Sequence, residues 1–179
     1  MKMLIKLLVV ISIASYSSFA SAGWNPEKKA EMASEAKEAI AEFKQDDSGI
    51  TVYFDQAYGY AVYPTVGKAG LGIGGAHGKG VVYEQGVIVG ETTLNQLSFG
   101  FQWGGQAYSE VVFFESKDAL DDFKNGNFEL GAQASAVAIT AGASTDLDYN
   151  DGVAIITRIK GGLMYEASVG GQKFSYDAN

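Results

Sequence analysis

Residues 97–104, Leu-Ser-Phe-Gly-Phe-Gln-Trp-Gly, decide the fold class of this chain. Large apolar side chains occupy every second position of the segment, and small or polar residues lie between them. This period of two is typical of a β-strand, in which successive side chains point to opposite faces. Shortly afterwards, residues 111–114 read Val-Val-Phe-Phe without interruption, which predicts a stretch of strand buried on both faces.

Further strands are predicted on both sides of this segment. We expect them at residues 58–63, where Pro64 ends the run, at 81–83 and 87–89, and after residue 127 at 128–140, 153–159, 163–169 and 173–176. Gly161-Gly162 and Gly170-Gly171 predict tight turns. Short connections join antiparallel neighbours, and glycines inside strands favour curvature. The sequence therefore predicts an α+β, β-dominated fold with a glycine-rich antiparallel sheet, curved or barrel-like.

Three segments have helical spacing instead. Asn25-Pro26 begins the first, which we expect to extend to Lys44, because alanines recur on one face and charges fill the other. A shorter helix is predicted at residues 49–57. The third is inserted among the strands, with Ser116 as its expected N-cap and Asn125-Gly126 as its expected end. The fold class thus includes N-terminal helices and one inserted helix.

The N-terminus has the order of a secretory signal peptide. Lys2 and Lys6 accompany an apolar run at residues 4–14, and Ala20-Ser21-Ala22 offers the small residues that signal peptidase recognises. A membrane anchor is the alternative, but a span needs about 20 apolar residues, and serines interrupt this run early. We expect residues 1–22 to be removed and residues 23–179 to form a single domain.

The net charge and the cysteine content limit which binding partners and which cellular location we expect. The chain has a net charge of −8, and loss of the two lysines of the signal peptide would bring it to −10. A chain this acidic has no general attraction to nucleic acid. It contains no cysteine, so an exported form is held together by packing and not by disulfides. We expect a periplasmic location, with an extracellular one as the alternative.

Glycine motifs match nucleotide-binding sequences only in part. Residues 70–75 fit the pattern G-x-G-x-x-G, but residues 76–80 cannot begin the helix whose N-terminus would hold a pyrophosphate. Gly80 also stands where a phosphate-binding loop needs Ser or Thr to hold magnesium. We therefore expect no nucleotide and no other cofactor.

Candidate catalytic and metal-binding groups are few. His77 is the single histidine, so a catalytic triad would have to use it, and an exposed histidine is the simpler interpretation. Residues 146–151 resemble the start of a calcium loop. Asp151, however, replaces the required glycine, and Thr157 replaces the required glutamate. We expect a solvated acidic turn, with adventitious divalent binding as the alternative, and a protein that is not an enzyme.

Five basic residues are the candidate binding groups. Lys68 and Lys79 flank the glycine run, where backbone amides without neighbouring side chains would allow an anion to approach closely. Arg158, Lys160 and Lys173 lie at the ends of predicted strands. A cluster of these cations would bind a lipid phosphate through charge-assisted hydrogen bonds. Ordinary solvated surface charges are the alternative.

Several segments resemble the SYLF family, in particular its exported bacterial branch. In family order they are AYGYAVYP (57–64), VGKAGLG (66–72), and the segments 74–80, 100–114, 126–143 and 160–176. The resemblance covers roughly residues 34–176, and the ordered set is far more specific than any single piece. It implies a lipid-binding module. Similar eukaryotic proteins are associated with phosphoinositide membranes and with actin.

Together these features predict an exported, non-enzymatic phospholipid-binding protein of the cell envelope. The expected partner is a phospholipid, of the phosphoinositide type or a bacterial one, or a membrane surface. Nucleic acid is not expected, and neither is actin, because an exported chain does not meet it. The alternative function is a structural or protein-interaction module of the periplasm without a lipid ligand.

Overall fold

A computed structural model describes residues 26–126, 129–130, 137–138 and 147–179. The predicted signal peptide lies outside these residues. The elements in chain order are α1 (Pro26–Asp46), a 3₁₀ turn (Ser48–Ile50), α2 (Thr51–Gln56), β1 (Gly59–Glu84), β2 (Val87–Phe114), α3 (Lys117–Lys124), β3 (Glu129–Leu130), β4 (Val137–Ala138) and β5 (Val153–Ala178). None of the helices in the described ranges is long and apolar enough to span a bilayer.

The strands form one sheet in the order β1-β2-β5-β3, with antiparallel neighbours. The two residues of β4 pair with β5 in the parallel sense. The predicted α+β, β-dominated class and its antiparallel sheet are confirmed. Among the described strands the sheet is open and not closed into a barrel, because β1 and β3 lie at its two ends.

The predicted strand boundaries are wrong, because β1, β2 and β5 are each 26 to 28 residues long. Pro64 does not end β1. The register with β2 shifts between Tyr63 and Val66, so Pro64 lies at an irregularity where its missing N–H costs no ladder bond. The Pro64 carbonyl oxygen instead accepts a hydrogen bond of 2.8 Å from the Ser109 hydroxyl.

The glycine pairs of β5 also lie inside the strand and not at turns. Gly161 pairs with Ala107 beside a register shift of β2 against β5. Gly162 has a φ of 99°, which a side chain would strain. Gly171 continues the ladder opposite Leu97. These glycines therefore permit a bulge and a bend within one strand. Of the strand predicted at 128–140, only β3 and β4 fall within the described residues.

The long strands fold back on themselves. A Cβ at Gly78 would lie 2.7 Å from Val66 Cγ2, and one at Gly80 would overlap the Val62 carbonyl oxygen. The two arms of β1 therefore touch, and Gly72, with a φ of 74°, lies midway between them.

β2 and β5 follow the same bend, so the sheet has two arms, one on each side of it. Tyr63 of β1 on one arm contacts Thr92 of β2 on the other arm, with 2.9 Å between the hydroxyl oxygens. Glu110 accepts a hydrogen bond of 3.0 Å from Gln172 in the same way. The register places residues 99–103 of β2 and 165–169 of β5 beside residues 71–73 of β1. We call these three segments the apex.

Two apolar cores lie away from the apex. One fills the space between the arms and includes Tyr63, Leu94, Phe114 and Phe174, with Phe123 of α3 packed among them. The other lies outside the arms, where α1 and α2 cover the sheet, and it includes Phe43, Ile50, Val62, Phe113 and Ile156. Residues 111–114 are fully buried, so the predicted burial of this run on both faces is confirmed. We call the part of the molecule that contains both cores and the helices packed on them the helical end.

The helices begin and end largely as predicted. The Ser116 hydroxyl accepts a hydrogen bond of 3.3 Å from the Ala119 amide and caps α3. Gly126, with a φ of 70°, follows its C-terminal cap Asn125. At the other end of the chain, α1 ends at Asp46, and the next residue, Asp47, caps the 3₁₀ turn through the Gly49 amide.

Candidate functional site

The outer face of β1 and β2 at the apex is exposed and apolar. Along β1 the odd-numbered residues from 67 to 79 are exposed, and their partners in β2 are exposed or half-buried. Five large side chains on this face have between 55% and 78% of their surface in solvent. We call them the apolar band: Leu71, Ile73, Leu97, Phe99 and Trp103.

The register makes the apolar band one contiguous surface. Leu71 lies opposite Trp103, and Ile73 lies opposite Phe99, with Leu97 two residues further along β2. Paired residues of adjacent antiparallel strands have side chains on the same face at about 5 Å separation. The described helices pack against the helical end instead.

Two basic rows border the apolar band. Asn95 of β2 pairs with His77 on one side and with Lys173 on the other, so the three residues form one row across the sheet. The His77 Nδ1 and Asn95 Oδ1 atoms are 2.9 Å apart. Lys79 lies in the next row, opposite Thr93. With strands about 4.8 Å apart, Lys173 lies roughly 10 Å across the sheet from His77.

Lys79, His77 and Lys173 are all exposed. Two residues further along each strand, Gly75, Leu97 and Gly171 form the next row on the same face, and Leu97 is the first side chain of the apolar band. The basic rows therefore border the apolar side chains directly. On the far side of Lys173, Glu129 of β3 is its backbone partner.

Lys68 lies on the opposite face of β1 from Lys79. It is half-buried, in register with Gln106, and it alternates with the exposed residues of the outer face. It lines an open depression of about 410 Å³ in which the segments 67–69 and 75–77 face each other. The two lysines that flank the glycine run therefore do not form a single clamp.

Arg158 and Lys160 lie at the helical end. The Arg158 guanidinium is 2.6 Å from Asp46 and 3.1 Å from Glu42, both in α1. The Lys160 ammonium donates to the Pro64 carbonyl oxygen at 3.2 Å and to the Thr65 hydroxyl at 3.1 Å. Of the five predicted cations, the structure thus brings Lys79 and Lys173 together on one exposed face and places Arg158 and Lys160 elsewhere.

Glu110 is a buried carboxyl that sequence reasoning missed. Its side chain is fully buried between the arms, where Oε2 accepts a hydrogen bond from Gln172. Within the described residues its Oε1 has no hydrogen-bond partner. Burial raises the pKa of Glu110 to about 7, although the Gln172 hydrogen bond and the Lys68 charge act in the opposite direction. The sequence signal that could have indicated a buried carboxyl is the position of this glutamate directly before the apolar run at 111–114.

The residues considered for catalysis and metal binding have ordinary structural surroundings. His77 is exposed and bonded to Asn95. Asp151 and Gly152, with φ of 51° and 78°, form a two-residue turn closed by hydrogen bonds between Asn150 and Val153. Within the part of the chain that the structure describes, no group of three His, Cys, Asp or Glu side chains could hold a metal ion. Asp146 lies outside that part.

Comparison with known proteins identifies the family. Residues 95–179 match the family model for Ysc84, described as Las17-binding protein actin regulator. The chain carries a SYLF-family domain. Beta cell expansion factor A of Aeromonas veronii is 30% identical over 146 residues, which cover 79% of this chain and 54% of that protein. The chain therefore spans about half the length of this curated relative.

The SYLF match begins within β2, but β1 belongs to the same sheet. β1 pairs with β2 from Gly59–Phe114 to Glu84–Val87. The resemblance inferred from the sequence is confirmed. SYLF membership supports a lipid- or protein-interaction module.

Proposed function

We propose that this SYLF protein is an exported, non-enzymatic lipid-binding protein, and that its basic rows contact anionic phospholipid headgroups. One observation carries the proposal, which is the position of Lys79 and Lys173 on one exposed face of an otherwise acidic molecule. An ammonium group on such a face forms charge-assisted hydrogen bonds with phosphate oxygens.

The distribution of charge along the strands supports contact between the basic rows and an anionic surface. Residues 67–79, 93–107 and 161–175, which the register places around the apex, contain three lysines and one glutamate, whereas the whole chain has 13 basic and 21 acidic residues. The remainder of the chain is therefore strongly acidic. An anionic surface would be attracted to these parts of the strands and repelled by the rest.

The acidic residues of α1 are far from the apex. Glu35, Glu38 and Glu42 line a pocket with Pro64 and Thr65, and residue 64 lies eight positions before Gly72. At about 3.3 Å per residue this corresponds to roughly 25 Å along the strand. The Debye length at physiological ionic strength is about 8 Å, so repulsion between these glutamates and a membrane at residues 71–73 is screened. This separation does not apply to Lys79, because its neighbour Gly78 lies against Thr65 and Val66 across the fold-back.

Vesicle flotation tests the proposal. Each lysine near an anionic surface contributes about 1 kcal/mol, so Lys79→Gln/Lys173→Gln should bind vesicles of phosphatidylcholine with a third phosphatidylglycerol roughly 20- to 30-fold more weakly than wild type. The control Lys28→Gln/Lys37→Gln removes the same charge from α1 and should bind nearly as wild type does. Equal losses in both variants would contradict a local site.

Export is the second part of the proposal, and it rests on the order of charged, apolar and small residues before Gly23. Protein recovered from the periplasm should begin at Gly23 in N-terminal sequencing. Recovery of the chain with Met1 in the membrane fraction would show that the segment is an anchor.

A protein-interaction module is the second candidate function. β1 ends the strand order of the described sheet, and an edge strand is a template for pairing with a partner strand. The family description also refers to binding of Las17 and regulation of actin. A wild-type protein that bound no phosphatidylglycerol or cardiolipin vesicles would discard the lipid function and favour this one.

A further inference from the structure

We propose that the apolar band at the apex inserts among the acyl chains of an anionic bilayer, so that the protein docks apex first. This inference rests on the lipid-binding function and adds the part of the molecule that enters the membrane. In this arrangement the row of His77 and Lys173 lies at the headgroups, Lys79 lies one row further from the acyl chains, and α1 points away from the bilayer.

The apolar band has the shape and position of an inserting surface. It lies where the three strands bend, on the face opposite to the contact between the arms. Its five side chains are more than half exposed and adjacent in register. Soluble monomers rarely expose large contiguous apolar patches, and a polar rim around such a patch marks a contact site for a protein or a membrane.

Charge complementarity selects a bilayer as the occupant. The basic rows border the apolar band along one side. A second copy of the chain would present the same cations to them, whereas an anionic bilayer presents phosphates beside hydrocarbon. The aromatic rings of Phe99 and Trp103 also suit the boundary between headgroups and acyl chains, where Trp in particular is enriched.

The backbone of the central strand is paired on both sides at the two aromatic residues of the apolar band. Phe99 and Trp103 of β2 have partners in β1 on one side and in β5 on the other. Unpaired N–H and C=O groups are costly next to hydrocarbon. Pairing on both sides therefore reduces this cost at Phe99 and Trp103, whereas residues 100–102 between them pair with β5 and not with β1 in the register.

Fluorescence of Trp103 tests insertion directly. The chain has two tryptophans, so the full chain with Trp24→Phe reports on Trp103 alone. We expect its emission to shift to shorter wavelength with the phosphatidylglycerol vesicles described above, and lipids brominated in the upper acyl chain to quench it. Vesicles of phosphatidylcholine alone should give a much smaller shift.

A matched pair of variants tests the energetic role. Phe99→Ser/Ile73→Ser removes two side chains of the apolar band and should weaken partitioning into the same vesicles about a hundredfold. The control Val52→Ser/Val87→Ser removes two other exposed apolar side chains, in α2 and at the start of β2. It should partition as wild type does. Thermal unfolding of both variants shows whether they remain folded.

The outcomes separate insertion from headgroup binding. If wild type binds none of the vesicles, both the lipid function and insertion are overturned. If Lys79→Gln/Lys173→Gln weakens binding while Phe99→Ser/Ile73→Ser does not and Trp103 shows no shift, the lipid function stands and insertion is overturned. A wild-type dimer that Phe99→Ser/Ile73→Ser dissociates, with vesicle binding unchanged, would assign the apolar band to contact between two copies.

Discussion

The helical end and the apex are built from the same three strands but differ in what covers them. At the helical end, α1 and α2 cover one face and the opposite arm covers the other, so residues 111–114 are fully buried. At the apex none of the described helices covers the outer face, and Leu71 and Trp103 expose 78% and 63% of their surface. Equally apolar side chains therefore stabilise the fold at one end and are available for binding at the other.

The sequence pattern differs between the two ends for a physical reason. A strand buried on both faces has apolar residues at successive positions, as in residues 111–114. Around the apex, Ile73 and Leu97 on the outer face have small neighbours on the inner face, where Gly74 and Ser98 are buried. Small inner residues let the arms approach each other, and the large outer residues contribute little to the core.

Truncation of one aromatic side chain at each end should give the largest difference in stability. Phe113→Ala empties part of a core in which the ring contacts Phe54 and Tyr60, and it should lower the free energy of unfolding by about 3–5 kcal/mol. Phe99→Ala at the apex should change it by about 0.5 kcal/mol or less. Urea unfolding measures both. Similar losses would show that the apolar band is part of the folding core.

The elements themselves could be predicted from the sequence, but their lengths could not. The caps of α3 and the period of two in residues 97–104 are local signals, and both are confirmed. Pro64 and Gly161-Gly162 normally punctuate secondary structure. Here long-range pairing with β2 keeps both sites inside strands, at register irregularities. Those irregularities depend on a neighbouring strand that local patterns do not reveal.

The candidate site was predicted only in part for the same reason. Residue types identified Lys79 and Lys173, but the fold decides that Asn95 lies between His77 and Lys173. Arg158 looked equivalent in sequence, yet it contacts Asp46 and Glu42. The alternation that identified a strand also listed Leu97, Phe99 and Trp103 on one face. It could not show whether a helix covers that face.

The buried carboxyl between the arms should make stability depend on pH. Burial raises the folded-state pKa of Glu110 from its ordinary 4.5 to about 7. The folded state therefore holds this proton more tightly than the unfolded state does. The stabilisation is complete below about pH 4.5 and is lost as the pH rises through about 7.

Glu110→Gln should remove this dependence, because the amide stays neutral. Above pH 7 the variant should be more stable than wild type, by an amount on the order of 3 kcal/mol, since each pKa unit corresponds to about 1.4 kcal/mol. The measurement is urea unfolding at pH 5 and pH 8, with the exposed Glu38→Gln as control. A wild type that is equally stable at both values, relative to this control, would contradict the buried, ionisable state of Glu110.

Contact between the two arms can be tested with one added methyl group. A Cβ at Gly80 would overlap the Val62 carbonyl oxygen and lie 2.9 Å from the Tyr63 ring. Gly80→Ala should therefore cost about 1–3 kcal/mol of stability through overpacking. Gly67→Ala is the matched control in the same strand, because nothing lies within 4 Å of its added Cβ. Thermal unfolding in which both variants melt together would contradict the fold-back of β1.

Removal of the Arg158 charge should have the smallest effect, and it separates the two ends functionally. Arg158 retains 24% of its side-chain surface in solvent and pairs with Glu42 and Asp46, which are 31% and 37% exposed. Exposed ion pairs contribute roughly 0.2–1 kcal/mol each. Arg158→Gln should therefore destabilise the protein by about 1 kcal/mol, because it loosens the contact of β5 with α1.

Arg158→Gln should leave vesicle binding unchanged, because the two carboxylates occupy its guanidinium and the helical end faces away from the bilayer. Lys173→Gln makes the same change of one charge on the same strand, and it should weaken binding about fivefold at roughly 1 kcal/mol per lysine. The two variants compared in one flotation series give the sharpest test of the difference between the ends. Equal weakening by both would mean that the membrane contacts the helical end as well as the apex.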